Sequence, residues 1–123
     1  NKIKQVLLNL VQNAADSMPK GGTVTLSTRT DQRLLFGRTM QVITINVTDT
    51  GTGMPAEIQK RLFDPFFTTK EYGTGLGLPI SARIVEKHGG VMEYKTQPNR
   101  GTTFTIVLPK PKTDETTLEN PAR

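Results

Sequence analysis

Apolar side chains in the first part of the chain recur every three or four positions, which is the spacing of one face of an α-helix. This pattern predicts a helix over residues 2–18, with Asn1 as its N-cap and the Pro-Lys-Gly-Gly segment at residues 19–22 as its end. Its predicted buried stripe comprises Ile3, Val6, Leu7, Leu10, Val11, Ala14 and Met18. A second helix is predicted over residues 76–87, and a short helical turn over residues 56–62. The residues predicted to face inward from the second helix are Leu78, Ile80, Ile84 and Val85.

Alternating apolar and polar residues, many of them β-branched, predict strands in the remaining segments. The predicted strands cover residues 23–28, 40–48, 91–95 and 103–108. We expect one hairpin around a polar turn at residues 31–38 and another around the turn at residues 98–101. Residues 110–123 have almost nothing apolar to bury and are predicted to be a flexible tail or linker. Residues 1–109 are therefore predicted to form one α+β domain, a two-layer sandwich with strands on one side and helices on the other.

Length and composition narrow the class of protein. A chain of 123 residues is enough for one domain with a buried core. Its 16 Lys and Arg residues exceed its 11 Asp and Glu residues, but they are scattered, so we expect a solvated basic surface and no nucleic-acid partner. The absence of cysteine excludes a disulfide scaffold, a zinc knuckle and a thiol nucleophile. No membrane-length apolar run or signal peptide is visible, which favours a cytoplasmic domain and leaves open a membrane-anchored parent protein.

Two glycine-rich loops carry the clearest candidate chemistry, and the first begins at Asp49. This aspartate follows a nearly apolar predicted strand and precedes Gly51 and Gly53. A carboxylate accepts hydrogen bonds only, so it suits the exocyclic amine of a bound base. An aspartate that merely begins a turn fits the same local pattern.

The second loop, residues 73–77, runs directly into the predicted helix over residues 76–87. Backbone N–H groups at such a helix start form a site for an anion, and glycines allow a phosphate to approach the backbone closely. The spacing GxGxG differs from the GxGxxG of dinucleotide-binding folds, so we expect a phosphate cradle instead. Lys70, just before the loop, is either a phosphate ligand or a solvated loop lysine.

Two asparagines on the first predicted helix, Asn9 and Asn13, are four residues apart and therefore lie on the same side of it. A carboxamide oxygen there can help to hold Mg²⁺, which shares its ligands with phosphates and water. The alternative is a pair of asparagines that bond to buried backbone groups. His88, the only histidine, is predicted to lie in the last turn of the second helix, where a role at the helix terminus is favoured over catalysis.

Taken in order, these segments resemble the catalytic ATP-binding domain of bacterial sensor histidine kinases, within the GHKL ATPase superfamily. The resemblance rests on Asn9-Leu-Val-Gln-Asn13-Ala-Ala, Asp49-Thr-Gly-Thr-Gly53, Phe63-Asp-Pro-Phe-Phe67, Gly73-Thr-Gly-Leu-Gly77-Leu and Gly101-Thr-Thr-Phe104. They are similar, respectively, to the N box, the first G box, the F box, the second G box and the short last G box of that family. The set covers about residues 1–109, and the short span between Phe67 and Gly73 resembles the compact ATP lid of the nitrogen-regulation type of kinase.

The resemblance implies a Bergerat fold, which is a mixed and mainly antiparallel sheet covered by helices, with ATP and Mg²⁺ as cofactors. It implies that Asn13 coordinates Mg²⁺, that Asn9 supports the site and that Asp49 reads the 6-amino group of adenine. Asn9, Asn13 and Lys70 are thus the expected catalytic residues. The residues expected to bind the nucleotide or its metal are Asn13, Asp49, Gly51, Gly53, Lys70, Gly73, Thr74, Gly75, Leu76, Gly77, and Thr102 or Thr103 through a water.

The activity implied by the resemblance is transfer of the γ-phosphoryl group of ATP to a histidine on a separate helical dimerisation domain, and from there to a response regulator. The sequence departs from the family pattern in two ways. It does not include the acceptor histidine, and it does not include the edge strand that usually precedes the first helix. Superfamily ATPases carry a glutamate where Asn9 stands. An amide cannot act as a base toward water, so slow hydrolysis is expected. A serine-directed kinase of the same superfamily and a non-catalytic nucleotide-sensing module remain as alternatives.

Overall fold

The computed structural model describes residues 2–65 and 77–111 of the chain. Within these ranges the helices are α1 (Lys2–Asp16), α2 (Ala56–Gln59) and α3 (Gly77–Lys87). The strands are β1 (Val24–Leu35), β2 (Arg38–Asp49), β3 (Val91–Gln97) and β4 (Gly101–Pro109). Their order along the chain is α1, β1, β2, α2, α3, β3, β4. No helix of the described residues is long and apolar enough to cross a lipid bilayer.

The four strands form one antiparallel sheet in the order β1-β2-β4-β3. β1 and β2 form one hairpin, β3 and β4 form another, and β2 pairs with β4 at the centre. The register aligns Val47 with Phe104 and Asp49 with Thr102, and it aligns Thr102 with Thr96 of β3. Paired residues share a face of the sheet, so these five side chains lie on one face. The predicted α+β class is confirmed.

Helices α1 and α3 pack on that face and enclose the main hydrophobic core. Val6, Leu10 and Ala14 of α1 are buried at the spacing that the sequence predicts. The other buried members of the same cluster are Val47, Leu62, Val85, Phe104 and Ile106. Burying one large apolar side chain stabilises a fold by about 1.5–3 kcal/mol relative to exposure. Apolar contact is therefore the main force that holds the two helices against the sheet.

The opposite face of the sheet is mostly polar. Arg33 of β1 forms a partly exposed ion pair there with Glu93 of β3. A small second apolar cluster, made of Leu35, Val42 and Val107, is buried toward the β1–β2 turn. This face follows the alternation of an antiparallel sheet that packs against helices on one side only.

The β1–β2 hairpin differs from the prediction at its turn. The predicted polar turn at residues 31–38 is wrong, because the strands continue through most of that segment and leave only Phe36 and Gly37 between them. Both residues have positive φ angles, 52° and 80°, as in the two-residue turns whose twist matches that of a hairpin. Most of β1 is exposed at the edge of the sheet, so its polar residues resemble a loop in the sequence.

Helix α3 differs from the prediction at one position that the sequence predicts to be buried. Ile80, which was predicted to face inward, is 47% exposed, so that prediction is wrong. The buried residues of α3 are Ser81 and Val85, one turn apart. Neighbouring residues of a helix point about 100° apart, so a buried Ser81 turns Ile80 toward solvent. A polar residue holds this buried position because its hydroxyl bonds to Asn9 of α1.

Candidate functional site

Asp49, the last residue of β2, is a buried carboxylate whose orientation is fixed by the backbone. Its Oδ1 accepts hydrogen bonds from the N–H of Gly51, at 2.9 Å, and from the N–H of Thr102, at 3.2 Å. The residue is only 6% exposed, and within the described ranges its Oδ2 has no hydrogen-bond partner. Buried polar atoms are normally paired. Oδ2 is therefore a candidate to accept a hydrogen bond from a ligand.

Two threonines lie beside Asp49 on the helix-covered face. The hydroxyl oxygens of Thr102 and Thr96 are 2.8 Å apart. The Thr96 oxygen also accepts a hydrogen bond of 3.0 Å from the N–H of Met54, in the loop after β2. Thr103 is the next residue of β4, so its side chain lies on the opposite face, where its hydroxyl oxygen is 3.0 Å from that of Thr48. Of the two threonines expected to approach a nucleotide, the geometry favours Thr102.

The loop after β2 is held from two sides, and its glycines make this possible. At Gly51, an added Cβ would overlap the Ser17 side chain at the end of α1. At Gly53, where φ is 70°, an added Cβ would overlap the carbonyl oxygen of Gln97 at the β3–β4 turn. The N–H of Asn99 in that turn donates to the carbonyl oxygen of Thr52 at 2.5 Å. Packing alone therefore explains both glycines, and the same packing fixes the position of Asp49.

Helix α1 and the start of α3 meet at Asn9. Its Nδ2 donates to the Ser81 hydroxyl at 3.1 Å, and a Cβ added at Gly77 would lie 2.7 Å from its Oδ1. Asn13 lies one turn further along α1 and is half-buried. Ser17, one turn beyond Asn13, contacts the loop glycine Gly51. Asn13 is therefore placed between the start of α3 and the loop that follows Asp49.

Several predicted site residues lie outside the described ranges. They are Lys70, Gly73, Thr74, Gly75 and Leu76. The predicted N-cap Asn1, the aromatic residues Phe66 and Phe67 and the predicted ATP lid also lie outside these ranges. Residues 112–123 of the predicted tail are also outside these ranges. Phe63, the first residue of the aromatic segment, packs against the main core, and its ring centroid lies 6.1 Å from that of Tyr94. The structure thus brings together Asp49, its loop and Thr102 at the C-terminal end of α1, and Asn9 and Gly77 about two turns away, at the middle of the same helix.

Two residues of this arrangement, Ser81 and Thr96, were missed by sequence reasoning. Thr96 and Thr102 line a cavity of about 660 Å³ at the end of the sheet, together with Asp49 and Gln59. Ser81 is 3% exposed and orients the amide of Asn9. The alternation along β3 is the one sequence signal that places Thr96 on the face of Tyr94 and the core.

Comparison with known proteins gives matches along nearly the whole chain. Residues 1–112 match the family described as histidine kinase-, DNA gyrase B-, and HSP90-like ATPase. Sporulation kinase C of Bacillus subtilis (strain 168) is 43% identical over 109 residues, which are 89% of this chain and 24% of that protein. The sensory histidine kinase/phosphatase NtrB of Azospirillum brasilense is 40% identical over 116 residues, covering 89% of this chain and 29% of its own length.

The solved catalytic domain of the histidine kinase ThkA, in a nucleotide-free form, superposes with a TM-score of 0.70 and 38% identity. That match covers 88% of this chain and 66% of the ThkA chain. The chain spans only 24% and 29% of the two kinases compared by sequence, so it corresponds to one part of such proteins.

Proposed function

Because the chain belongs to the family of histidine kinase-, DNA gyrase B- and HSP90-like ATPases, we propose that it acts as the ATP-binding catalytic domain of a sensor histidine kinase. ATP is its phosphoryl donor, and the acceptor is a histidine on a separate helical dimerisation domain of the parent protein. A response regulator is the next acceptor. The observation that carries the proposal is Asp49, a buried carboxylate with one oxygen held by two backbone N–H groups and the other open to a ligand.

Adenine fits the open oxygen of Asp49. Its 6-amino group is a hydrogen-bond donor, and a carboxylate oxygen is an acceptor. Guanine has a carbonyl oxygen at the same position, so two acceptors would face each other and one buried group would remain unpaired. The Thr102 hydroxyl lies on the same face as Asp49 and would make a second contact with the base, directly or through a water.

The phosphate end of the nucleotide lies toward Asn13 and the start of α3 in this proposal. Asn13 supplies a carboxamide oxygen, a ligand type suited to Mg²⁺ that also binds phosphate oxygens. When bound, Mg²⁺ neutralises phosphate charge during phosphoryl transfer. Gly77 begins α3, where free N–H groups and the helix dipole attract an anion. The roles of Lys70, Gly73, Thr74, Gly75 and Leu76 rest on the resemblance alone.

An asparagine at position 9 favours transfer of the γ-phosphoryl group to a protein acceptor over hydrolysis of ATP by water. Its amide has no basic lone pair for a proton, and its Nδ2 is engaged with the Ser81 hydroxyl. The relatives at about 40% identity carry the names of sensor and sporulation kinases, which favours a histidine acceptor over a serine acceptor. The remaining rival is a module that binds nucleotide without transferring phosphate.

The test combines the purified chain with Mg²⁺, ATP labelled at the γ-phosphate, and the helical domain of the parent protein. We expect an alkali-stable, acid-labile label on the helical domain, and none when its acceptor histidine is changed to glutamine. Asn13→Ala should abolish labelling, whereas Gln12→Ala, an exposed neighbour on the same helix, should preserve it. Binding of ATP without any transfer would support the sensing module. Label on the chain itself that is lost in His88→Ala would contradict the proposal.

A further inference from the structure

Thr96 of β3 lies outside every segment on which the family resemblance rests, yet it joins three parts of the site. Its hydroxyl oxygen is 2.8 Å from the Thr102 hydroxyl and 3.0 Å from the Met54 nitrogen. It is also 3.2 Å from the carbonyl oxygen of Gly101. The contacts therefore connect the loop after β2 with the first two residues of β4, one of which bonds directly to Asp49.

The proton of the Thr96 hydroxyl has two possible acceptors. A threonine hydroxyl has one proton and two lone pairs, and the Met54 N–H occupies one of those lone pairs. In one arrangement Thr96 donates to the Gly101 carbonyl oxygen and accepts the proton of Thr102. In the other, Thr96 donates to Thr102, and the Thr102 proton becomes available to a ligand. The two arrangements differ in what Thr102 presents beside Asp49.

Direct contact between adenine and the Thr102 hydroxyl requires the second arrangement. The 6-amino donor of adenine is adjacent to the acceptor N1, so the edge of the base matches a site with one acceptor and one neighbouring donor. Asp49 is the acceptor, and Thr102 is free to donate to the base when its oxygen accepts the hydrogen bond from the Thr96 hydroxyl. Guanine presents an acceptor and a donor in the reverse order. The direction of the Thr96–Thr102 hydrogen bond therefore contributes to discrimination between the two bases.

We propose that Thr96 is a positioning residue for base recognition, which holds the Thr102 hydroxyl and sets its donor direction. This inference rests on the proposed function, since it assumes that the base binds beside Asp49. Thr96→Val keeps the shape of the side chain and removes the hydroxyl, whereas Thr96→Ser keeps the hydroxyl. A matched control is Thr105→Val, a half-buried threonine of β4 whose hydroxyl bonds to Asn46 on the opposite face at 2.6 Å.

The experiment measures the displacement of a fluorescent ATP analogue by ATP and, separately, by GTP, at constant Mg²⁺. Thr96→Val should weaken ATP binding by about tenfold, the upper end of the effect of one neutral hydrogen bond. Its effect on GTP should be about twofold or less, because guanine does not accept a hydrogen bond from the Thr102 hydroxyl, whose orientation is what the variant loses. Thr96→Ser should retain the ATP/GTP ratio of the unmodified protein, and so should Thr105→Val.

An equal loss of affinity for both nucleotides in Thr96→Val would assign Thr96 a structural role only and overturn the inference. Unchanged affinity of Thr96→Val for both nucleotides would overturn it as well. If Thr96→Val does not fold, Thr96→Cys replaces it with the same expectation, because a thiol is a weak hydrogen-bond partner. Failure of the unmodified protein to prefer ATP over GTP would instead contradict the proposed function, and that comparison is made first.

Discussion

Replacing Gly77 with alanine probes how closely α3 approaches α1 at the candidate site. The added Cβ would lie 2.7 Å from Oδ1 of Asn9 and 3.1 Å from its Nδ2. Ordinary contacts begin at 3.4 Å, so the amide oxygen has to move by 3.4 − 2.7, or about 0.7 Å. The bond from Nδ2 to the Ser81 hydroxyl is already 3.1 Å long and cannot stretch by that amount. Gly77→Ala should therefore break the hydrogen bond between Asn9 of α1 and Ser81 of α3.

Two opposing effects set the size of the change in stability. Loss of one hydrogen bond costs about 0.5–1.5 kcal/mol. Alanine is favoured over glycine inside a helix by up to about 1 kcal/mol, and by less in the first turn. Gly77→Ala alone should therefore change the free energy of unfolding by only about 1 kcal/mol or less. In the double variant with Asn9→Ala, the new methyl group meets no amide, so the helix-propensity gain is recovered.

Urea unfolding followed by circular dichroism is measured for four proteins: the unmodified protein, Gly77→Ala, Asn9→Ala and the double variant. This double-mutant cycle gives the coupling energy between Gly77 and Asn9. We expect the double variant to be more stable than the sum of the single changes predicts, by about 0.5–1.5 kcal/mol. Gly37→Ala tests for coupling at a distant glycine: an added Cβ there contacts nothing within 4 Å, and the cost of its positive φ angle is independent of Asn9. Combined with Asn9→Ala it should be additive. Additivity within about 0.3 kcal/mol for Gly77→Ala as well would refute the close approach.

Two further predictions concern the stability of the domain. Leu10→Ala should lower the free energy of unfolding by about 2–4 kcal/mol, because Leu10 is completely buried, whereas Leu8→Ala at a 65% exposed position should change it little. Equal effects of these two changes in urea unfolding would contradict the placement of α1. Arg33→Ala should cost less than about 1 kcal/mol, since the ion pair with Glu93 is partly exposed, and the cost should shrink in 1 M salt. A larger loss of free energy of unfolding that persists in 1 M salt would mean that solvent ions do not screen this ion pair.

The sequence predicted the first helix well because its apolar period is regular. The predicted helix over residues 2–18 and the observed Lys2–Asp16 differ only at the last residues. The first hairpin was predicted less well, since the exposed part of β1 has no partner on its outer edge within the described residues and carries polar side chains. Polarity on an edge strand and polarity in a turn look the same in a local window of sequence.

The position of Asp49 could be predicted because it depends on a local feature, the end of an apolar strand before a glycine loop. The choice between Thr102 and Thr103 depends on the register of β4 against β2, which is a contact between residues far apart in sequence. The buried place of Ser81 depends on a partner, Asn9, that is 72 residues away. Both required the three-dimensional structure, because local periodicity carries no information about which strand or helix lies opposite.

The measurement that tests the central claim most directly is a pair of calorimetric titrations, with ATP and with GTP, of the unmodified protein and of Asp49→Asn. In the variant, the amide oxygen can keep both backbone bonds that Oδ1 accepts, from Gly51 and Thr102. The amide nitrogen then occupies the place of Oδ2 and presents a donor where the carboxylate presented an acceptor.

We expect the unmodified protein to prefer ATP by about a hundredfold or more, and Asp49→Asn to weaken ATP binding and narrow that preference. Asp31→Asn, at an exposed position of β1, makes the same change in charge and should leave both affinities unchanged. Equal binding of ATP and GTP by the unmodified protein, or a full preference for ATP in Asp49→Asn, would mean that Asp49 only shapes the loop.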